Sequence, residues 1–228
     1  MEDIKHVFFD LDHTLWDFEK NSQLTFQKIF TIHNINLPLN IFLDVYKPIN
    51  FHFWKLYREE KVSKEALRHG RLKQSFEALE YPISDKLINT ISIQYIDFLP
   101  DFNHLFKGTF EILEYLKNKY ELHIITNGFE EVQRKKIISS KIHHYFNQII
   151  TSESVGVKKP NPTIFKHALE ITNAKIETSI MIGDNLEADI QGALNIGIKA
   201  IHCNFDNEKI DSNECKSVNS LLELKQYL

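Results

Sequence analysis

Cysteine is almost missing from this chain: Cys203 and Cys215 are the only two among 228 residues. Two thiols without metal-ligand spacing exclude a disulfide framework and read as reduced, cytosolic cysteines. Long apolar runs are missing too. The first, Val7-Phe8-Phe9, is cut short by Asp10 and Asp12, so the start of the chain lacks a signal-peptide pattern. No stretch reaches the length that spans a bilayer, and the expectation is a cytoplasmic protein with no membrane partner. A basic excess is also lacking. The formal net charge is −4, which argues against a nucleic-acid polymer as partner and requires any attraction of an anionic substrate to be local. Glycine is scarce before residue 108, where only Gly70 occurs, and the other six follow it. Tight turns between strands and helices use glycine and long helices do not, so two architectures are expected.

The first architecture is helical. From Trp16 to about Phe106 the apolar residues recur at helical spacing, and no strand pattern stands out. Helices are expected over Asp17–His33, over Asn40–Glu60 with an interruption at Pro48, from an N-cap at Ser63 through Leu79, and from an N-cap at Ser84 through Phe98. Aromatics are dense here, and Phe18, Phe26, Phe30, Phe42, Tyr46, Phe51, Phe53, Trp54, Tyr57, Phe76, Tyr95 and Phe98 suit the core of a small bundle better than a ligand box.

The second architecture alternates short strands and helices. Helices are expected at Phe110–Lys119, Glu130–Ser139, from the Asn161-Pro162 start, and at Leu186–Leu194; strands at Leu122–Thr126, Gln148–Thr151, Ser179–Ile182 and Lys199–His202. This rhythm belongs to a parallel sheet covered on both faces, and Val7–Phe9 supplies its first strand. The fold class is therefore α/β, a Rossmann-like doubly wound sheet with an all-helical domain inserted after the first strand. The expected division is 1–15 with 108–228 for the sheet and 16–107 for the insertion. Asn204–Ser220 reads as a polar loop before a short helix, Leu221–Leu228.

Ligands of such sheets bind beyond the carboxyl ends of the strands. The first strand ends in Asp10 and Asp12, two like charges that a divalent cation would reconcile, although nine residues alone fit a solvated Asp-rich turn as well. The second ends in Thr126-Asn127-Gly128 before a helix, where free amides favour an anion, or where Thr126 simply caps that helix. After the third comes Lys158-Lys159-Pro160, with either lysine able to meet a phosphate; after the fourth, Gly183-Asp184 and Asp189 add two more carboxylates.

The ordered set Asp10-Leu11-Asp12-His13-Thr14, Thr126, Lys159-Pro160 and Gly183-Asp184 with Asp189 resembles the four motifs of the haloacid dehalogenase-like hydrolase superfamily, over the whole chain. Thr126-Asn127-Gly128-Phe129, the run Ser152 to Asn161 and His69-Gly70-Arg71 further resemble the pyrimidine 5′-nucleotidases. His13 departs from the pattern, standing where many relatives carry glycine, which puts the loop geometry in question.

What the resemblance implies is a Mg²⁺-dependent phosphomonoester hydrolase with a helical cap. Asp10 would be the nucleophile and Asp12 the general acid and base; Asp10, Asp12 through its carbonyl, Asp184 and Asp189 would form the metal site. Thr126, Asn127 and Lys159 would bind phosphate. The implied partner is a small phosphate ester, a nucleoside 5′-monophosphate with a pyrimidine base; a sugar phosphatase or a phosphomutase would use the same core, and a catalytically silent binding protein could keep the fold. Arg71 is either a cap residue that reaches substrate or a solvated helix arginine. Monomer and dimer stay open.

Overall fold

The computed structural model of the protein describes residues 3–205 and 215–228. The chain divides into two compact units, Met1–Phe18 with Asn103–Leu228, and Glu19–Phe102.

The first unit is built on a sheet of six parallel strands. In chain order these are β1 (His6–Phe9), β2 (Glu121–Thr126), β3 (Gln148–Thr151), β4 (Ser179–Gly183), β5 (Lys199–Cys203) and β6 (Lys216–Val218). Their order in space is β3-β2-β1-β4-β5-β6. Every residue of β1 and β4 is buried, as continuous apolar runs covered on both faces should be. The chain winds outward from β1 through β2 to β3 and then returns to the other side of β1 as β4, so strand order reverses between β1 and β4. In sheets of this kind that reversal opens the ligand crevice.

Strand β6 corrects the sequence reading, which took Asn204–Ser220 for a loop. It pairs with β5 but has three residues, of which only Val218 is buried, so no apolar pattern announces it. The middle of that expected loop, 206–214, lies outside the described residues. The expected last helix is a 3₁₀ turn, Leu221–Gln226.

The second unit consists of four helices, which with the leading residue Phe18 of the first are α1 (Phe18–Ile32), α2 (Leu39–Arg58), α3 (Lys64–Ala78) and α4 (Asp85–Phe98). Ser63 and Ser84 cap the last two, their Oγ atoms accepting from the amides of Ala66 at 3.1 Å and Leu87 at 3.2 Å. The expected break at Pro48 does not occur, and α2 runs through it. Pro48 and Asp44, whose carbonyl loses its helical donor, are both exposed, so water can satisfy that carbonyl while Phe42, Leu43 and Tyr46 hold the buried face. Phe26 anchors the interior, with the rings of Phe42, Tyr46 and Tyr95 centred 4.9, 4.7 and 4.7 Å from its own.

The remaining helices belong to the sheet unit: α5 (Thr109–Leu116), α6 (Glu130–Ser139), the single turn α7 (Ser152–Val155), α8 (Pro162–Ile171) and α9 (Gly192–Leu194). Ile164, Phe165 and Ala168 of α8 and Ala193 of α9 pack with Phe8, Ile125, Ile150 and Met181 in one core. Asn161 caps α8 through Oδ1, which accepts from Thr163 at 2.9 Å. Among the described residues no helix is long and apolar enough to cross a membrane.

Candidate active site

Asp10 follows directly on β1, where its amide donates to the Ile182 carbonyl of β4 at 2.9 Å, so its position is set by the sheet itself. Asp184 follows directly on β4. The two therefore flank the point at which strand order reverses. Asp189 lies on a π-helical turn, Leu186–Gln191, just beyond β4. Such turns are uncommon and recur at functional sites. Here Oδ2 of Asp189 accepts from the Asn185 amide at 3.0 Å, and Asn185 Oδ1 in turn caps Ala188 at 2.8 Å. Glycine is required at 183, because a Cβ there would collide with the Asp189 carboxylate.

Into this group of acids reaches one cation. Lys159 Nζ donates to Asp10 Oδ1, to Asp189 Oδ1 and to the Ile125 carbonyl, each at 2.6 Å, and the residue is 1% exposed. It is Lys159 and not Lys158 that turns inward. Asn127 holds it there: its side chain accepts from the Lys159 amide at 2.8 Å and donates to the Lys159 carbonyl at 2.9 Å. The expected phosphate-binding Asn127 thus has its amide committed to the loop that carries the lysine.

Two buried carboxylates, Asp10 and Asp189, and the half-buried Asp184 against one ammonium leave an excess of negative charge. Burial pushes the Asp10 carboxyl well above the usual range; Lys159 opposes this, while the charges of Asp189 and Asp184 add to it. Asp184 is pushed up to about 8 by burial and by Asp189, against a hydrogen bond from Thr14 Oγ1 at 3.1 Å. Burial alone would lower Lys159, but Asp10 and Asp189 overcome it and hold the ammonium at about 12. Asp10, Asp184 and Asp189 each place a carboxylate oxygen within 4.8 Å of the others. An oxygen-only donor set with unmet negative charge fits a hard divalent cation such as Mg²⁺.

The side chain of the fourth expected metal-site residue, Asp12, is not in this group. Its Oδ1 accepts from Lys136 Nζ at 2.6 Å and its Oδ2 from Gln133 Nε2 at 3.0 Å. Gln133 also donates to Thr126 Oγ1 at 2.7 Å, so one amide ties Asp12 to Thr126. Thr126 is not the cap of α6; its Oγ1 accepts from the Gly128 amide at 3.1 Å, and the helix begins after Phe129. Gly128 leaves the room that Gln133 occupies. Lys136 is 2% exposed and stands 4.2 Å from the centre of the Trp16 ring.

Gln133 and Lys136 were not singled out in the sequence. The signal was weak: α6 is Glu-Glu-Val-Gln-Arg-Lys-Lys-Ile-Ile-Ser, and nothing in so polar a helix says which lysine is inside, except that 133 and 136 fall on the side of Val132 and Ile137. His202 was missed as well; its Nε2 donates to the Asp184 carbonyl at 2.7 Å from within β5. His13 takes φ of 62°, the left-handed conformation that glycine would adopt, so the loop keeps its shape at a cost of about 1–2 kcal/mol.

Arg71 is not solvated. It is 2% exposed in the helical unit, Nη1 donates to Asn50 Oδ1 at 2.8 Å, and the guanidinium lies 5.0 Å from the Tyr95 ring centre. Its Nε is buried without a hydrogen-bond partner.

Comparisons with known proteins agree with this geometry. The chain is 30% identical over 228 residues to pyrimidine 5′-nucleotidase YjjG of Escherichia coli, covering 97% of this chain and 96% of that one. It is 34% identical to a glyceraldehyde 3-phosphate phosphatase of Methanothermobacter thermautotrophicus, covering 89% and 87%. The magnesium-bound crystal structure of YfnB, a HAD-hydrolase of Bacillus subtilis, superposes with a TM-score of 0.90 at 28% identity, over 100% of this chain and 99% of that one. The model of haloacid dehalogenase-like hydrolases matches residues 7–203, a span that contains every residue placed around Asp10 above. With an acid at the end of β1, its lysine after β3 and two further acids after β4, this chain belongs to the haloacid dehalogenase-like hydrolase family.

Proposed function

We propose that the protein is a Mg²⁺-dependent phosphomonoester hydrolase working through an aspartyl-phosphate, with nucleoside 5′-monophosphates of pyrimidine bases as its substrates. The observation that carries the chemistry is the bonding of Lys159 to Asp10 and Asp189, which holds a carboxylate oriented at the crevice of a parallel sheet. Oδ2 of Asp10, the oxygen that Lys159 does not engage, is assigned to attack on phosphorus. The new acyl-phosphate bond forms as the ester P–O bond breaks, and the leaving oxygen takes a proton from the Asp12 carboxyl, which must be protonated and released from its bonds to Lys136 and Gln133 to give it. Asp12 then accepts a proton from the water that attacks the same phosphorus, inorganic phosphate departs and the Asp10 carboxylate is restored. The hydroxyl of Thr126, which accepts two hydrogen bonds and retains its own proton, and the Lys159 ammonium are assigned to the phosphate oxygens.

Asp10 and Asp184, with the main-chain carbonyl of Asp12 and with Asp189 behind them, would hold Mg²⁺. When bound it supplies positive charge that offsets repulsion between carboxylate and phosphate. The helical unit is proposed as a cap that selects the leaving group.

The substrate reading rests on the end-to-end likeness to YjjG; the likeness to the glyceraldehyde 3-phosphate phosphatase supports a second reading, a sugar phosphatase. Values of kcat/KM for UMP, dUMP and dTMP, compared with AMP, GMP and triose and hexose phosphates, separate the two. Nucleotides should win; a tenfold advantage of a sugar phosphate, about 1.4 kcal/mol in transition-state binding, would replace the nucleotidase with the sugar phosphatase.

A further inference from the structure

The candidate active site occupies the carboxyl ends of the strands, and the amino-terminal edge of the same sheet gathers a second set of ligand-type side chains. His6 opens β1 and stands in register with Glu121, which opens β2. His123, two residues further along β2, projects from the same sheet face as Glu121. Nδ1 of His6 lies 3.2 Å from Nε2 of His123 and 3.9 Å from Oε2 of Glu121. One donor atom from each of the three falls within 4.8 Å of the other two. We propose that His6, Glu121 and His123 form a binding site for a borderline transition-metal ion, with Zn²⁺ as its occupant, which pins the start of β1 to the start of β2.

The separations suit that ion. Donors held about 2.0–2.1 Å from a tetrahedral zinc stand roughly 3.3 Å apart, close to the spacing of the two imidazole nitrogens. The Glu121 oxygen is slightly too far, but its side chain is 57% exposed and free to close the gap. Two imidazoles and one carboxylate prefer Zn²⁺ to Mg²⁺, whereas the all-oxygen group around Asp184 prefers the reverse, so the two ends of the sheet sort different ions. Three protein ligands leave a fourth position for water.

His123 is 1% exposed, and its Nδ1 is buried with no partner. The ring is held in place between Phe8, at 4.9 Å, and His6, at 5.5 Å. A direct hydrogen bond between the histidines, with Glu121 beside His6 as its register partner, is the metal-free alternative, and it predicts no cobalt bands.

The test is titration of the full-length protein with Co²⁺ in excess Mg²⁺, followed by visible absorption. One equivalent should bind with the strong bands of four-coordinate cobalt and be displaced by Zn²⁺. His6→Asn and Glu121→Gln should each weaken binding at least about tenfold, the loss typical of even the groups that support a ligand. Glu121 is exposed, so its variant folds whatever becomes of the histidines. Zn²⁺ should raise the Tm of the wild type and not that of His6→Asn. Absence of four-coordinate bands, or bands unchanged in either variant, would overturn the site.

Discussion

Both units carry ion pairs on their surfaces, but the sheet unit also buries them. In the sheet unit, Lys159 pairs with Asp10 and Asp189 at 2.6 Å in places where both partners are nearly inaccessible, and Lys136 pairs with Asp12 at the same distance from full burial. In the helical unit, Lys28–Asp101, Lys47–Glu19, Lys61–Glu59 and Lys73–Asp85 are surface pairs, and the interior is aromatic. Surface pairs contribute about 0–1 kcal/mol each. Buried ones cost several kcal/mol per ion in desolvation and are a weak means to stability. The sheet unit therefore carries an electrostatic arrangement that folding alone does not call for, and the helical unit carries one that folding explains, with Arg71 as the exception.

The comparison breaks most visibly at Asp10. Asp10→Asn should lower the rate of phosphate release at least about 10³-fold, since an amide cannot form the acyl-phosphate. Its Tm should not fall with it, because the variant no longer buries a carboxylate that its surroundings disfavour. Removal of metal with EDTA should stop turnover to a similar extent and added Mg²⁺ should restore it; full activity in stripped protein would count against Asp184 as a ligand.

The helical unit should show the reverse. Phe42→Ala, in the middle of the ring cluster, should cost about 3–5 kcal/mol in a denaturant titration. The kcat of the folded fraction should stay within a few-fold of wild type on a small phosphate ester. A loss of kcat as deep as that of Asp10→Asn would erase the distinction between the units.

A smaller effect sharpens the comparison within the sheet unit. The folded-state pKa of His123 is about 4, below its ordinary 6.5. The unfolded chain thus takes up this proton first as pH falls. Stability from the neutral ring is complete above about pH 6.5 and is lost progressively down to about pH 4, a change on the order of 1–3 kcal/mol. His123→Phe should flatten that part of the stability curve relative to wild type; superimposable curves would show that the ring is not held neutral.

The elements that could be read from the sequence are those whose burial is written in their composition. Strands buried on both faces, such as β1 and β4, are unbroken apolar runs, and their ends point to Asp10 and Asp184. Ser63, Ser84 and Asn161 declare helix starts because capping is local chemistry. What stayed hidden depends on partners distant in sequence. Lys136 looks like any helix lysine until Asp12, 124 residues away, comes to meet it, and Gln133 matters through Thr126 and Asp12 together. Pro48 forecast a break because the forecast cannot see that Asp44 faces water. Asn127 was legible as a polar residue at a strand end, but not as the clamp on Lys159.

The most direct measurement on the central claim is acid quenching of the enzyme during turnover of a phosphate ester, followed by reduction with borohydride and peptide mass spectrometry. An acyl-phosphate is reduced by borohydride to an alcohol, so an aspartyl-phosphate at Asp10 should appear as homoserine at that position, dependent on both substrate and Mg²⁺. Steady turnover with no modification at Asp10, or modification confined to another carboxylate, would contradict the mechanism.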